Sequence, residues 1–240
     1  MPNTTMKCSS CKNTVNGNFC SSCGQPTQLK RIDQHYVLHE IQHILHFEKG
    51  IPYTIKELLI APGKNVKEFL KENRSRLVKP ILFLVLSSLM YTIINNVFHI
   101  EQGYVDFKEE KHTALGSIFS WIQNHYGYAN ILMGVFISAW IKVFYKKYDY
   151  NFFEVLILQC FILGISMLVI SLFALLEGLL QVNLMQISGI FSVAYCIWGT
   201  GQFFDKSSVA SYLKALICYL LGMITFLTLA IMLGLFIDAL

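Results

Sequence analysis

Charged side chains are scarce in this chain. Only 14% of its 240 residues are Asp, Glu, Lys or Arg, against 54% that are hydrophobic, and the mean hydropathy is +0.49. A soluble domain of this size does not tolerate that balance, so the composition predicts an integral membrane protein. The stretch from Met1 to Met6 is polar and has no apolar core, so insertion is expected to use internal helices instead of a cleaved signal. There is no serine elbow and no glycine-rich phosphate loop, which removes two common routes to catalysis. No charged residue stands deep in an apolar run with a partner, and neither an inverted repeat nor a pair of broken helices marks a transporter.

The chain does contain long apolar runs. Five approach the length needed to cross a bilayer: Pro80 to Phe98, Ala129 to Tyr145, Val155 to Leu176, Leu184 to Phe204, and Tyr212 to Phe236. The second is short and ends at Lys142. Gln186, Ser188, Gly189 and Gly199 dilute the fourth, so four spans compete with five. Lys142 and Glu154 are spaced to pair between helices, and Ser87, Ser88, Gly164, Gly189, Gly199 and Gly222 are small enough for close helix packing. In the loop after the first run, Leu115, Ile118, Phe119, Trp121 and Ile122 recur at helical spacing. They predict a short helix that either lies at the interface or leads into the second span.

Charge placement orients these runs. Lys64, Lys67, Lys71, Arg74, Arg76 and Lys79 precede the first against Glu68 and Glu72, and this excess marks the cytoplasmic side. The next loop, with Glu101, Asp106, Glu109 and Glu110 against Lys108 and Lys111, is net negative. Lys142, Lys146 and Lys147 mark the next turn as inside, Glu177 is expected in a loop without lysine on the far side, and Lys206 returns the chain inside. Five spans therefore put the amino terminus in the cytoplasm and the carboxyl terminus, beside Asp238, outside.

Cysteine is the strongest motif. Cys8 and Cys11, then Cys20 and Cys23, form C-x-x-C, eight residues, C-x-x-C, the spacing of a ribbon that holds zinc with four thiolates. The Asn16-Gly17 step suits a hairpin turn, and Gly24 suits a knuckle that needs positive φ. Four cysteines close the coordination shell, so such a site is structural. A reducing cytoplasm favours thiolate over disulfide, and the other cysteines, Cys160, Cys196 and Cys218, lie in apolar runs. Little basic charge surrounds the ribbon, which argues against nucleic acid and for a cytoplasmic protein partner or a simple amino-terminal cap.

Histidine supplies a second motif. His35, His39, His43 and His46 fall within an arc of roughly 80° on a helix from Gln34 to Phe47, opposite Val37, Leu38, Ile41, Ile44 and Leu45, with Lys49 and Gly50 as its stop. Within it, His39-Glu40-Ile41-Gln42-His43 matches H-E-x-x-H, in which both histidines hold zinc and the glutamate, here Glu40, activates a water. A third ligand is not evident among Glu57, Glu68 and Glu72. Three readings stand: a solvated or docking face, a second metal or pH-sensitive contact, and a zinc-dependent membrane hydrolase.

Downstream, Ile51 to Leu59 is a short amphipathic piece broken by Pro62-Gly63. Asn65 to Leu77 is a basic amphipathic helix suited to the anionic inner leaflet of a lipid bilayer. The fold class is therefore an all-α polytopic membrane protein of about five transmembrane helices with a small N-terminal zinc ribbon and cytoplasmic amphipathic helices. Residues 1–28 form the ribbon, 29–79 the cytoplasmic helices and 80–240 the bundle.

In this order, Cys8, Cys11, Cys20, Cys23, Gly24, His39, His43, Gly50, Lys56, Glu57, Leu58, Pro62, Gly63 and Pro80 resemble a bacterial domain-of-unknown-function family of zinc-ribbon membrane proteins over residues 8 to about 100. The resemblance implies a bacterial inner-membrane location and carries no assigned activity. The functional expectation is a membrane-anchored scaffold, sensor or accessory for a cytoplasmic partner. A hydrolase, and a homo-oligomeric pore or defence accessory, are the alternatives.

Overall fold

The computed structural model describes residues 6–8, 11–15, 17–22, 50–74, 76–100 and 113–239. They belong to two compact units, Met1–Leu45 and His46–Leu240.

In the first unit, β1 (Met6–Lys7) pairs antiparallel with β2 (Thr14–Val15), placing Met6 opposite Val15 and Lys7 opposite Thr14. The turn between them is the first cysteine knuckle, in which the Cys8 amide donates to the Asn13 carbonyl (2.8 Å) and the Lys12 amide to the Cys8 carbonyl (3.1 Å). The Asn16-Gly17 step, expected as the hairpin turn, instead follows β2, and Asn16 lies outside the described residues. Positive φ is expected after the second cysteine of a knuckle. Gly24 lies outside the described residues, but in the first knuckle Lys12 takes that conformation, at φ 64°.

The second unit contributes all eight helices found among the described residues. Two short ones come first: α1 (Gly50–Ile60) and α2 (Pro62–Lys71). The longer set is α3 (Pro80–Phe98), α4 (Ala114–Asn124), α5 (Tyr126–Phe144), α6 (Phe152–Leu180), α7 (Met185–Asp205) and α8 (Val209–Asp238). Prolines open α2 and α3, where the missing N–H costs no helical hydrogen bond. Pro62-Gly63 is thus the first turn of α2, and the basic helix expected over Asn65 to Leu77 starts three residues earlier and ends six residues earlier, at Lys71, so Arg76 and Leu77 lie outside it. Thr113 caps α4, its side chain accepting from the Gly116 amide (3.1 Å).

Three helices, α3, α6 and α8, are long and apolar enough to cross a membrane. Helix α5 carries a shorter apolar stretch, Tyr128–Phe144, and α7 falls below the same standard. The centre of the bundle is α6, whose Leu158, Phe161, Ile162 and Ile165 are fully or nearly fully buried. Small residues set the approach of its neighbours. A Cβ added to Gly164 would lie 2.6 Å from the Phe83 ring, and one added to Gly222 would lie 2.7 Å from the Ile137 Cα. Gly189 is different: an added Cβ there meets nothing within 4 Å.

Helices α6 and α7 run antiparallel along a polar seam. Gln159 donates to Thr200 (3.3 Å), Ser166 bonds Ser192, and at the far end the Glu177 carboxylate accepts the Leu184 and Met185 amides (2.7 and 3.0 Å). Glu177 belongs to the end of α6, not to a loop, and it caps the start of α7. The expected Lys142–Glu154 pair does not form. Lys142 donates to the Tyr150 carbonyl (2.5 Å), while Glu154 closes a capping box with Asn151 at the start of α6.

Candidate metal centre

The cysteine site is built from the ribbon's own turns. Cys8 ends β1, Cys11 closes the knuckle, and Cys20 returns from the second arm, which is tied to the first by a hydrogen bond from the Asn13 amide group to Ser22 Oγ (2.7 Å). Cys8 and Cys20 are buried on Val15, so the small apolar cluster of this unit is largely the site itself. All three sulfurs lie within 4.8 Å of one another, and Cys11 Sγ and Cys20 Sγ are 3.5 Å apart. A disulfide holds its sulfurs about 2.05 Å apart, and these three thiols are free. Four sulfurs placed about 2.3 Å from a tetrahedral zinc stand roughly 3.8 Å from each other, which is the scale of this cluster. The three cysteines could therefore hold a metal ion. Cys23, the expected fourth ligand, lies outside the described residues, as do His35, His39, Glu40, His43 and His46.

Among the described residues no second metal-capable cluster occurs. Cys160, Cys196 and Cys218 are buried on α6, α7 and α8 respectively, apart from the ribbon thiols in the chain and without clustered histidine or carboxylate partners.

A second polar construction joins the short helices to the bundle. Arg76, in the link between α2 and α3, forms ion pairs with Glu57 (2.6 Å) and Glu68, and its Nε donates to the Tyr53 hydroxyl (3.0 Å). Tyr53, followed by Glu57, holds the guanidinium pKa above its ordinary value against the opposing effect of burial. Glu57 and Glu68, two of the three carboxylates downstream of the histidine motif among which no third ligand is evident, are both occupied by Arg76. The clamp was not evident from the sequence, because its partners are 8 and 19 residues away and on different helices.

The Pro62-Gly63 turn docks this pair of helices. The Gly63 amide donates to Gln202 Oε1 (2.8 Å), and a Cβ on Gly63 would lie 2.5 Å from the Gln202 and Phe203 backbone. Asn65 donates to the Glu57 and Ala61 carbonyls (2.7 and 3.0 Å), Thr54 accepts the Val78 amide (3.1 Å), and Tyr195 donates to the Leu58 carbonyl (3.0 Å). These bonds fix α1 and α2 as a collar across the ends of α6 and α7 where the lysines concentrate. The Pro-Gly pair was the one sequence signal that pointed here, and it read as a break.

Comparison with known proteins meets the chain at this collar. Residues 48–92 match one family model, described as a protein of unknown function (DUF3667). The matched stretch contains α1, α2, Arg76 and most of α3, and it includes neither the cysteines nor the histidine motif. Of the resemblance read over residues 8 to about 100, the match supports an uncharacterised domain-of-unknown-function family over residues 48–92. No curated protein and no solved structure matches the chain.

Proposed function

We propose that the chain is a membrane-anchored zinc-ribbon protein that serves as scaffold, sensor or accessory for a cytoplasmic protein partner. The observation that carries this reading is the gathering of three free thiols into one cluster on a unit separate from the helical bundle. With Cys23 as the fourth ligand, as the C-x-x-C spacing predicts, a four-thiolate zinc shell would have no open position for substrate, which gives the metal a structural role. What the ribbon then offers is surface, on which Phe19 is 67% exposed.

The anchor has five spans, α3 and α5 to α8, in the inner membrane of a bacterium. Helix α7 is weakly apolar, but apart from the exposed Gln186 near its start, polar residues such as Ser188, Ser192 and Thr200 are buried, whereas Ile187, Ile190 and Phe191 are exposed to the surroundings. A helix with that division can border lipid despite its composition. The amino terminus is cytoplasmic. The reading is supported by the ends at which α2, Lys79, Lys142 and Lys206 stand together, opposite the end carrying Glu177 and Asp238.

Crosslinking in native membranes tests the scaffold. Wild-type protein yields a specific crosslinked species, and Cys8→Ser with Cys11→Ser abolishes it while the bundle remains in the membrane. An unchanged crosslinking pattern in that variant would refute a partner held by the ribbon.

A further inference from the structure

Between α2 and the corner joining α7 to α8 lies an open groove of about 590 Å³. Its ionisable lining is four lysines, Lys64, Lys67, Lys71 and Lys206, and three carboxylates, Glu68, Glu72 and Asp205. Two of the three carboxylates are engaged, and Glu72, just past the end of α2, is exposed. Glu68 is paired with Arg76 and stands 3.7 Å from Lys64, and Asp205 accepts from the Ser207 hydroxyl and amide (2.7 and 3.1 Å). Lys67 and Lys71 make no ion pair among the described residues. Each is instead held over a ring, Lys67 over Phe203 (5.6 Å) and Lys71 over Tyr150 (5.4 Å).

Two lysines one helical turn apart repel each other, and here the repulsion acts on a half-buried group. Burial first, and Lys71 second, push the Lys67 pKa down, with Asp205 working the other way. A dianion or diester monoanion between the two ammonium groups would remove that penalty. The neighbouring surface says where the anion comes from. Val209, two residues after the groove-lining Ser207, opens α8 and is 75% exposed, and Leu213 one turn further on is 54% exposed; apolar side chains that follow a cationic groove so closely in the chain suit an acyl chain attached to a phosphate.

We infer that this groove is a phosphate-binding site occupied by the headgroup of an anionic phospholipid, with Lys67 and Lys71 as its paired cations. The inference rests on the membrane-anchor reading above and is independent of the ribbon.

The test uses the full chain in a non-ionic detergent, with phosphatidylglycerol, phosphatidylcholine and inorganic phosphate as probes, read by native mass spectrometry and by the shift in melting temperature. Phosphatidylglycerol is expected to bind at least tenfold more tightly than phosphatidylcholine. Lys67→Gln with Lys71→Gln is expected to abolish that preference, whereas Lys67→Arg with Lys71→Arg, and Lys56→Gln outside the groove, retain it. The double Gln variant relieves a repulsion, so it is expected to melt no lower than wild type without lipid. Equal lipid preference in wild type and the double Gln variant would overturn the site. A shift with inorganic phosphate and none with phosphatidylglycerol would overturn the headgroup assignment. Fractionation of cells tests the anchor separately: a chain that sediments with membranes but shows no lipid preference refutes the groove alone.

Discussion

Replacing Arg76 with methionine tests the collar that the family match covers. The guanidinium stands between Glu57 and Glu68, and the three side chains keep only 26%, 22% and 23% of their surface exposed. Exposed pairs contribute about 0–1 kcal/mol, and breaking a fully buried pair costs roughly 3–5 kcal/mol, so this partly buried cluster falls near 2 kcal/mol. Most of that cost is the mutual repulsion and desolvation of two carboxylates left facing each other. For a bundle of this size it lowers the melting temperature by about 4–8 °C. The assay is thermal unfolding of purified protein in detergent, with proteolysis of α1 and α2 as a second readout. If repulsion is the cause, adding Glu57→Gln and Glu68→Gln to Arg76→Met recovers most of the loss. A triple variant no more stable than Arg76→Met alone would refute the reasoning and assign the effect to lost packing against Tyr53.

Other outcomes follow from the same contacts. Gly63→Ala drives a Cβ into the Gln202 and Phe203 backbone and is expected to destabilise by about 1–3 kcal/mol, whereas Gly189→Ala meets no atom and leaves the melting temperature unchanged or slightly higher. Glu177→Ala removes the acceptor for two amides at the start of α7 and is expected to cost about 2 kcal/mol, read by the same unfolding assay. Lys67 gives a pH signature. Its folded pKa is below its unfolded one, so the unfolded chain holds more protons in between, and stability rises with pH through that window up to about 10.5. Comparing pH melts of wild type and Lys67→Gln isolates this slope, which the variant is expected to flatten.

Local signals are legible in this sequence, and long-range contacts are not. The spacing of Cys8, Cys11 and Cys20 specifies a knuckle because each pair acts over four residues, and the structure brings those three sulfurs together. The apolar runs likewise mark their own helices: Pro80 to Phe98 coincides with α3, and the other four runs fall within or almost within α5 to α8. Gly164, Gly199 and Gly222 make the close helix contacts expected of small residues, though Gly189 shows that smallness alone does not locate an interface. The Arg76 clamp and the Gly63–Gln202 contact were hidden because they join residues up to 139 positions apart. Glu177 was misplaced for a related reason: a loop-like charge became a buried cap once α6 proved longer than its apolar run. Lys12 shows the limit of reading conformation from residue type, since the knuckle's hydrogen bonds hold positive φ at a position without glycine.

The most direct test of the central claim is the metal content of the purified full chain, measured by elemental analysis. One zinc per chain is expected, lost in Cys20→Ser, with the helical bundle still folded. No bound zinc, or zinc retained by Cys20→Ser, would contradict it; two zinc ions per chain would move the chemistry to the histidine motif.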